Sequence, residues 1–189
     1  MYTNAERIVL PIARITIGQA LGRQATADEA APWLHELGAC FVTLKMNGDL
    51  RGCIGSLKAQ RPLLADLKAN ALAAAFHDPR FEPLTDGEFD NTRIEVSLLS
   101  AIEPICFVSE QDALNQLRPE IDGIIFEYQN QRSTFLPQMW ESLPTPQLFM
   151  AQLKRKAGLS PTFWVEGVRL LRYTVYRLDE SERKENLLL

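Results

Sequence analysis

The sequence predicts an α+β fold, in which an antiparallel or mixed sheet is flanked by helices. Two segments have the alternation and turn residues of β-hairpins, GACFVTLKMNGDLRGCIGSL at 38–57 and DGIIFEYQNQRSTFL at 122–136. Between them, LLADLKANALAAAFH at 63–77 is alanine-rich and apolar on most sides, as is typical of a helix packed on a sheet. The order and spacing of these segments favour the α+β class.

Capping and stop residues mark the helix ends. Thr3-Asn4-Ala5-Glu6 has the form of a capping box that opens a first helix. Pro62 occupies the first turn of the alanine-rich helix, which ends near His77, and Gly158 stops a later helix. The apolar face of the first helix carries Ile8, Ile12, Ile15 and Leu21. The remaining elements are a third strand (TRIEVSLLSAI, 92–102), a short helical turn (PQMWESL, 137–143), a helix (PTPQLFMAQLKRKAGL, 144–159) and one closing strand (RLLRYTVYRL, 169–178).

Length and composition predict one globular domain. No repeat or linker divides the 189 residues, so we expect a single domain over 1–189, with a core of about 7–178 and a frayed charged tail at 179–189. The net charge of −4 argues against nucleic acid and anionic membranes as partners. No apolar run approaches the ~20 residues that span a bilayer, and the N-terminus lacks the pattern of a signal peptide, so we expect a cytoplasmic protein.

The cysteines and histidines favour reduced thiols over a disulfide framework or a metal site. Cys40, Cys53 and Cys106 are an odd number, are widely spaced and include no CxxC pair. His35 and His77 have no partner at a metal-ligand spacing, so we expect no metal site. Nothing in the residue pattern identifies a cofactor.

The stretch LRGCIG at 50–55 lies in the second strand of the first hairpin, and the loop length decides which way its side chains face. A two-residue loop would mix apolar and charged residues on both faces, whereas a three-residue loop at 47–49 leaves one face consistently apolar. We therefore predict the three-residue loop. It places Lys45 opposite Arg51 and Thr43 opposite Cys53 on the other face.

A polar sheet face follows if the third strand joins the same sheet. That face gathers Lys45, Arg51, Cys53, Arg93, Glu95 and Ser97. It is either a solvated face, which is common for charged strand residues, or part of a site. A lone cysteine among small residues is more often a buried apolar group than a nucleophile. Gly52 and Gly55 each weaken a strand by about 0.5–1 kcal/mol relative to alanine, which indicates close approach of backbone, ligand or both.

LRGCIG after a glycine-turned hairpin resembles the signature of the AMMECR domain family, the protein A component of the AmmeMemoRadiSam system. Further matches follow in chain order: AAAFHDPRFEPL (73–84), IEVSLLS (94–100), DGI (122–124), FLPQ (135–138) and KAGL (156–159). The resemblance covers about residues 7–178, and LRGCIG is its most specific element.

The resemblance implies a single cytoplasmic α+β domain built as two subdomains around a cleft. It also implies a Memo-like protein and a radical SAM enzyme as partners, but no particular reaction. Outside LRGCIG, the matched polar positions are Asp78, Arg80, Glu95, Ser97, Gln138 and Lys156. Several of these also have a structural interpretation, because such residues can tie down helix ends or satisfy turn backbone.

Two functional hypotheses lead. In the first, the protein is a thiol-dependent enzyme acting on a small molecule or a protein in a modification pathway. Cys53 is the nucleophile, Arg51 and Lys45 stabilise its thiolate, and Glu95 or His77 is the acid–base group. The donors to a developing oxyanion would be Gly52, Gly55 or Ser97.

In the second hypothesis the protein is a non-catalytic module that binds a small anionic ligand or docks a partner, and Cys53 only leaves room. The predicted ligand-binding residues are Arg51, Gly52, Gly55, Arg80, Ser97, Gln138 and Lys156. A nucleic-acid-linked regulator ranks last, because LKRK at 153–156 is too short to outweigh the acidic composition.

Overall fold

The computed structural model of the chain describes residues 4–180. The α-helices are α1 (Ala5–Ala20), α2 (Leu63–Phe76), α3 (Asp86–Phe89), α4 (Glu110–Asn115) and α5 (Pro146–Lys156), and 3₁₀ helices span Pro32–His35 and Pro137–Glu141. The strands are β1 (Leu37–Gly38), β2 (Cys40–Met46), β3 (Asp49–Gly55), β4 (Arg61–Pro62), β5 (Thr92–Leu99), β6 (Glu103–Ile105), β7 (Gly123–Tyr128), β8 (Gln131–Phe135), β9 (Arg169–Tyr173) and β10 (Val175–Asp179).

The described residues divide into two compact units, one of residues 4–99 with 176–180 and one of Ser100–Val175. The first contains a four-stranded sheet of order β10-β5-β2-β3 and a short β1-β4 ribbon. The second contains a four-stranded sheet of order β6-β9-β7-β8. Helices packed with antiparallel sheets confirm the predicted α+β class. The single domain over 1–189 stays a prediction.

The first unit buries one face of its sheet beneath α1 and α2. Val42 and Leu44 of β2 and Ile94 and Val96 of β5 are buried in one cluster with Leu67 of α2. Since successive strand residues point to opposite faces, the residues between these four point away from the helices. The polar positions predicted from the sequence belong to that second face.

A buried carboxylate joins α2 to the strands. Asp66 is 1% exposed and accepts hydrogen bonds from the main-chain N–H of Cys40 at 2.9 Å and the hydroxyl of Ser56 at 2.7 Å. Nε of Arg61 and the side-chain amide of Asn70 also donate to it, at 2.8 and 2.9 Å. Because a buried charge needs such compensation, these bonds fix α2 relative to β2 and to the end of β3.

The buried face of α1 differs from the predicted one. Asn4, before its first residue, has a left-handed backbone (φ 56°) and its side chain makes no capping hydrogen bond. Thr3 of the predicted capping box lies outside the described residues. Ile8 and Ile15 are only partly buried, because the face turned to the core is rotated from the predicted one. The buried residues of α1 are Ala5, Val9, Leu10, Ile12, Ala13, Thr16, Ile17 and Gly18.

The second unit contains the other predicted hairpin, with β7 and β8 joined between Tyr128 and Gln131. The 3₁₀ helix and α5 follow it, as predicted, and Gly158 ends α5 in the left-handed conformation (φ 82°). Trp140 of the 3₁₀ helix stacks on Phe149 of α5, with ring centroids 3.9 Å apart. Aromatic stacking therefore joins the two helical segments in this core.

The predicted single closing strand is wrong, because 169–178 forms two strands. β9 pairs with β7 in the second unit, whereas β10 lies beside β5 in the first sheet. Between them, the N–H of Thr174 donates to the hydroxyl of Ser100 and its carbonyl accepts from the N–H of Ser100, both at 2.9 Å. These bonds replace strand pairing at the break.

The predicted frayed tail begins too early. Asp179 belongs to β10, and the carboxylate of Glu180 accepts bonds from the guanidinium of Arg14 and, at 2.9 Å, from the N–H of Ile94. Residues 181–189 of that prediction lie outside the described part of the chain. Over residues 4–180, no helix combines the length and apolar character needed to cross a membrane.

Candidate functional site

The LRGCIG hairpin closes with a two-residue turn. Met46 pairs with Asp49, so that Asn47 and Gly48 form the loop. Both loop residues have positive φ, 54° and 93°, as a type I′ turn requires. The predicted three-residue loop is therefore wrong, because Asn-Gly satisfies the tighter turn.

A β-bulge then restores the predicted register. Lys45 pairs with Leu50 but Leu44 pairs with Gly52, which leaves Arg51 as the extra residue in β3. From this point inward the predicted register is confirmed, and Thr43 lies opposite Cys53. The predicted opposition of Lys45 and Arg51 is wrong because the bulge removes Arg51 from the pairing.

Arg51 is bound to Glu88 of α3 instead. Its Nε lies 3.1 Å from Oε1 of Glu88 and its Nη2 lies 3.1 Å from Oε2, and only 11% of its side chain is exposed. The ion pair with Arg51 and the N–H of Thr85 lower the pKa of Glu88 to about 2. Nη1 of Arg51 is buried and has no hydrogen-bond partner among the described residues.

The polar face carries a second charged group at Glu95. Lys45 donates to its carboxylate at 2.9 Å and Arg177 of β10 lies 2.5 Å from it, while the Glu95 side chain is 5% exposed. Ser97, two residues on, is 2% exposed. The interpretation of a solvated face therefore fails at these two residues. Arg93, which pairs with Lys45 across the strands, is exposed.

The thiol of Cys53 has a hydroxyl partner. The side chain of Thr43 donates to Sγ at 3.3 Å, and Cys53 is half-buried. The main chain of Cys53 is held as well, because its N–H donates to Asp78 at 2.8 Å and its carbonyl accepts from Arg80 at 3.2 Å. The bound Arg80 guanidinium, with main-chain N–H donors, holds the pKa of the buried Asp78 carboxyl well below its usual range.

Cys53, Thr43 and Glu95 form a row across β3, β2 and β5, since Thr43 is the cross-strand partner of both others. Two strand spacings separate Cys53 from Glu95, roughly 10 Å between their Cα atoms. The predicted catalytic pair is thus on one face, with a hydroxyl between its members.

The two glycines of the motif make room for the protein itself. A Cβ on Gly52 would lie 2.1 Å from the carbonyl oxygen of Ala74 in α2. A Cβ on Gly55 would lie 2.2 Å from the ring of Phe41. The close approach predicted at each glycine is therefore made by helix backbone at Gly52 and by an aromatic ring at Gly55.

The chain as a whole is similar to known proteins. A sequence model named AMMECR1 matches residues 10–178. The chain belongs to the AMMECR1 family. A protein of Methanocaldococcus jannaschii is 35% identical over 179 residues, covering 90% of this chain and 87% of that one. A protein of Thermotoga maritima is 37% identical over 161 residues, covering 82% and 87%. The crystal structure of an uncharacterized protein from Pyrococcus horikoshii superposes with a TM-score of 0.82 at 30% identity, covering 93% of this chain and 91% of its own.

Two predicted ligand residues of this AMMECR1 chain lie in the second unit. Gln138 is in the 3₁₀ helix, with its Oε1 buried and unpartnered among the described residues. Lys156, the last residue of α5, donates to the carbonyl of Thr134 at 3.0 Å and lies over the ring of Phe135. The other predicted site residues belong to the first unit, where His77 is exposed at the end of α2.

Sequence reasoning missed two polar partners in this AMMECR1 fold. Glu88 sits in a Thr85–Glu88 capping box, a local signal that marks a helix start but not an arginine partner. Arg177 lies on the closing strand and shows no local pattern pointing to Glu95. Their roles arise from contacts between residues far apart in the chain.

Proposed function

We propose that this AMMECR1-family protein is a thiol-dependent enzyme with Cys53 as its nucleophile. The observation that carries the proposal is the hydrogen bond from the Thr43 hydroxyl to Sγ at 3.3 Å. Arg80 supports it with a guanidinium bonded to the carbonyl of the same cysteine at 3.2 Å. A hydroxyl donor stabilises a thiolate, which is the reactive form of the side chain, and the bond from Arg80 fixes the main chain that carries it.

In this reaction an electron pair of Sγ forms a bond to a carbonyl carbon of the substrate, the π pair of that C=O bond moves onto its oxygen, and the thiol proton passes to a base. Glu95 is two strands from the thiol, so it acts as that base only through an intervening water or substrate atom. Lys45 and Arg177 hold its carboxylate in place. The substrate we propose is a small molecule or a protein in a modification pathway, with a Memo-like protein and a radical SAM enzyme as cytoplasmic partners.

The alternative is a non-catalytic module that binds a small anionic ligand or docks a partner. It has one observation in its favour, the buried Nη1 of Arg51, which lacks a partner among the described residues. The rest of that guanidinium is bonded to Glu88, so an anion would have to compete with a carboxylate already in place. This competition is the reason for preferring the thiol enzyme.

The test is iodoacetamide labelling of the whole protein between pH 5 and 9, with each cysteine read separately by peptide mass spectrometry. Cys40 is the buried control, because burial raises the pKa of its thiol, and Cys106 is the exposed control. We expect Cys53 at pH 7 to react about tenfold faster than Cys106, and Thr43→Val to remove that advantage while Thr43→Ser keeps it.

Labelling of Cys53 no faster than Cys106 at pH 7 contradicts the proposal. The binding alternative then becomes the leading one. Its own test is a thermal shift with inorganic phosphate in the wild type that is absent in Arg51→Lys.

A further inference from the structure

The backbone of Cys53 lies on an open sheet edge. Among the described residues, β3 is the last strand of its sheet, with β2 on one side only. The N–H of Ser56 donates to the carbonyl of Cys40 on β2, and in an antiparallel pair the groups facing the partner strand alternate along the chain. The main-chain groups of Cys53 therefore point outward, where an edge strand has no neighbour.

Asp78 and Arg80 occupy that missing neighbour's place. Arg80 donates to the Cys53 carbonyl and Asp78 accepts from the Cys53 N–H, which is the pattern that a paired strand would provide. The two side chains are also bonded to each other, with Nε and Nη2 of Arg80 lying 2.9 and 2.7 Å from the Asp78 carboxylate. The N–H of Arg80 adds a third bond to the same carboxylate, at 3.1 Å.

This clamp, defined as the side chains of Asp78 and Arg80, has a rigid base. Asp78 follows the end of α2 by two residues and its side chain is 2% exposed. The helix is pressed against β3 at Gly52, where it leaves no space for a Cβ. Cys53 is thus held from the helix side through Gly52 and along the strand edge by the clamp, and its side chain extends beside Thr43.

We propose that Asp78 and Arg80 are positioning residues that hold the Cys53 thiol beside Thr43. The inference rests on the proposed function, since it concerns the reactivity of the same thiol. The clamp acts through the main chain of Cys53. Its removal lets the strand edge turn, and the hydroxyl of Thr43 then no longer reaches Sγ.

A double-mutant cycle tests this dependence. The labelling rate of Cys53 at pH 7 is measured for the wild type, Thr43→Val, Asp78→Ala and the double variant, with Cys106 as the internal reference. We expect Thr43→Val to slow Cys53 about tenfold in the wild type and less than twofold in Asp78→Ala. Hydrogen exchange of the Cys53 amide, measured on the same samples, should become faster in Asp78→Ala.

Arg80 provides the second arm. Its side chain is 53% exposed, so Arg80→Ala leaves the core intact. This variant takes the place of Asp78→Ala in the cycle if Asp78→Ala does not fold. Arg80→Lys keeps the cation and should restore most of the Thr43 effect that Arg80→Ala removes. Asp90→Ala is the matched control, because it deletes an exposed carboxylate bonded to Arg23 in the same unit.

The outcomes separate the two proposals. An equal effect of Thr43→Val with and without the clamp overturns the positioning role and leaves the thiol enzyme standing. A wild-type Cys53 that reacts no faster than Cys106 overturns the proposed function, and the positioning role with it. Faster amide exchange in Asp78→Ala with an unchanged Thr43 effect shows a clamp that stabilises the strand edge alone, which also overturns the inference.

Discussion

Gly52→Ala should destabilise the protein by forcing α2 away from β3. The added Cβ would lie 2.1 Å from the carbonyl oxygen of Ala74, whereas real Cβ atoms keep at least 3.0 Å from their neighbours. The two elements must therefore separate by about 0.9 Å at this point. The obstacle is helix backbone, which cannot rotate aside as a flexible side chain does.

The magnitude follows from opposing effects. Overpacking a tight interior typically costs about 1–3 kcal/mol, and this contact is at the severe end because it meets backbone. Replacing glycine by alanine in a strand returns about 0.5–1 kcal/mol through backbone entropy. We expect a net loss of about 2 kcal/mol in the free energy of unfolding, measured by urea denaturation followed by circular dichroism.

Gly87→Ala is the matched control for this substitution. Gly87 lies in α3, its φ is not positive, and a Cβ there meets nothing within 4 Å. Its substitution should be neutral or stabilise the protein by up to about 1 kcal/mol. A loss below about 1 kcal/mol for Gly52→Ala, with an unchanged slope against urea, would refute the claim that α2 excludes a side chain at this position.

Three further predictions concern other charged or polar groups. Glu88 has a folded pKa of about 2 against an ordinary value of 4.5, so its pairing with Arg51 stabilises the fold above pH 4.5 and this stabilisation is lost as the pH falls toward 2. Glu88→Gln should remove about 1–2 kcal/mol of this pH dependence from the free energy of unfolding. An unchanged dependence between pH 4.5 and 2 contradicts the prediction. Burial raises the pKa of Tyr173 from 10.0 to about 12, so the contribution of its neutral form to the stability of the fold is complete below pH 10 and is lost between pH 10 and 12. We expect a step in phenolate absorbance near pH 12 that Tyr173→Phe removes. The side chain of Lys154 is 1% exposed and that of its partner Glu110 is 35% exposed. Glu110→Ala leaves a buried cation unpaired, so in urea unfolding it should lower the free energy of unfolding by about 1–2 kcal/mol more than Lys154→Met does. The reverse order would contradict this.

Local signals explain why most elements could be predicted from the sequence. The helix α2 extends from the residue after Pro62 to the residue before His77, as the proline and the alanine-rich pattern predict. The hairpin β7–β8 and the helix α5 likewise follow from alternation and from Gly158. Each of these signals acts over a few neighbouring residues, so the chain shows it without any tertiary contact.

The prediction was wrong where distant residues decide the backbone. The three-residue loop was predicted from the apolar register although Asn47-Gly48 favours a two-residue turn, and the bulge at Arg51, whose partner Glu88 is 37 residues away, reconciles that turn with the register. The closing segment was predicted as one strand because its apolar pattern is continuous, yet bonds between Thr174 and Ser100 divide it. Neither contact leaves a mark in the local pattern.

For the candidate site, the sequence by itself determined the family signature, the strand that carries Cys53 and the pairing of that cysteine with Thr43. Only the tertiary structure decided which charges meet which: Arg51 with Glu88, Glu95 with Lys45 and Arg177, and Asp78 and Arg80 with the backbone of Cys53. The physical reason is the distance along the chain over which each effect acts. Periodicity and turn preference act between neighbours, whereas a buried charge is satisfied by whichever group the packed elements bring to it.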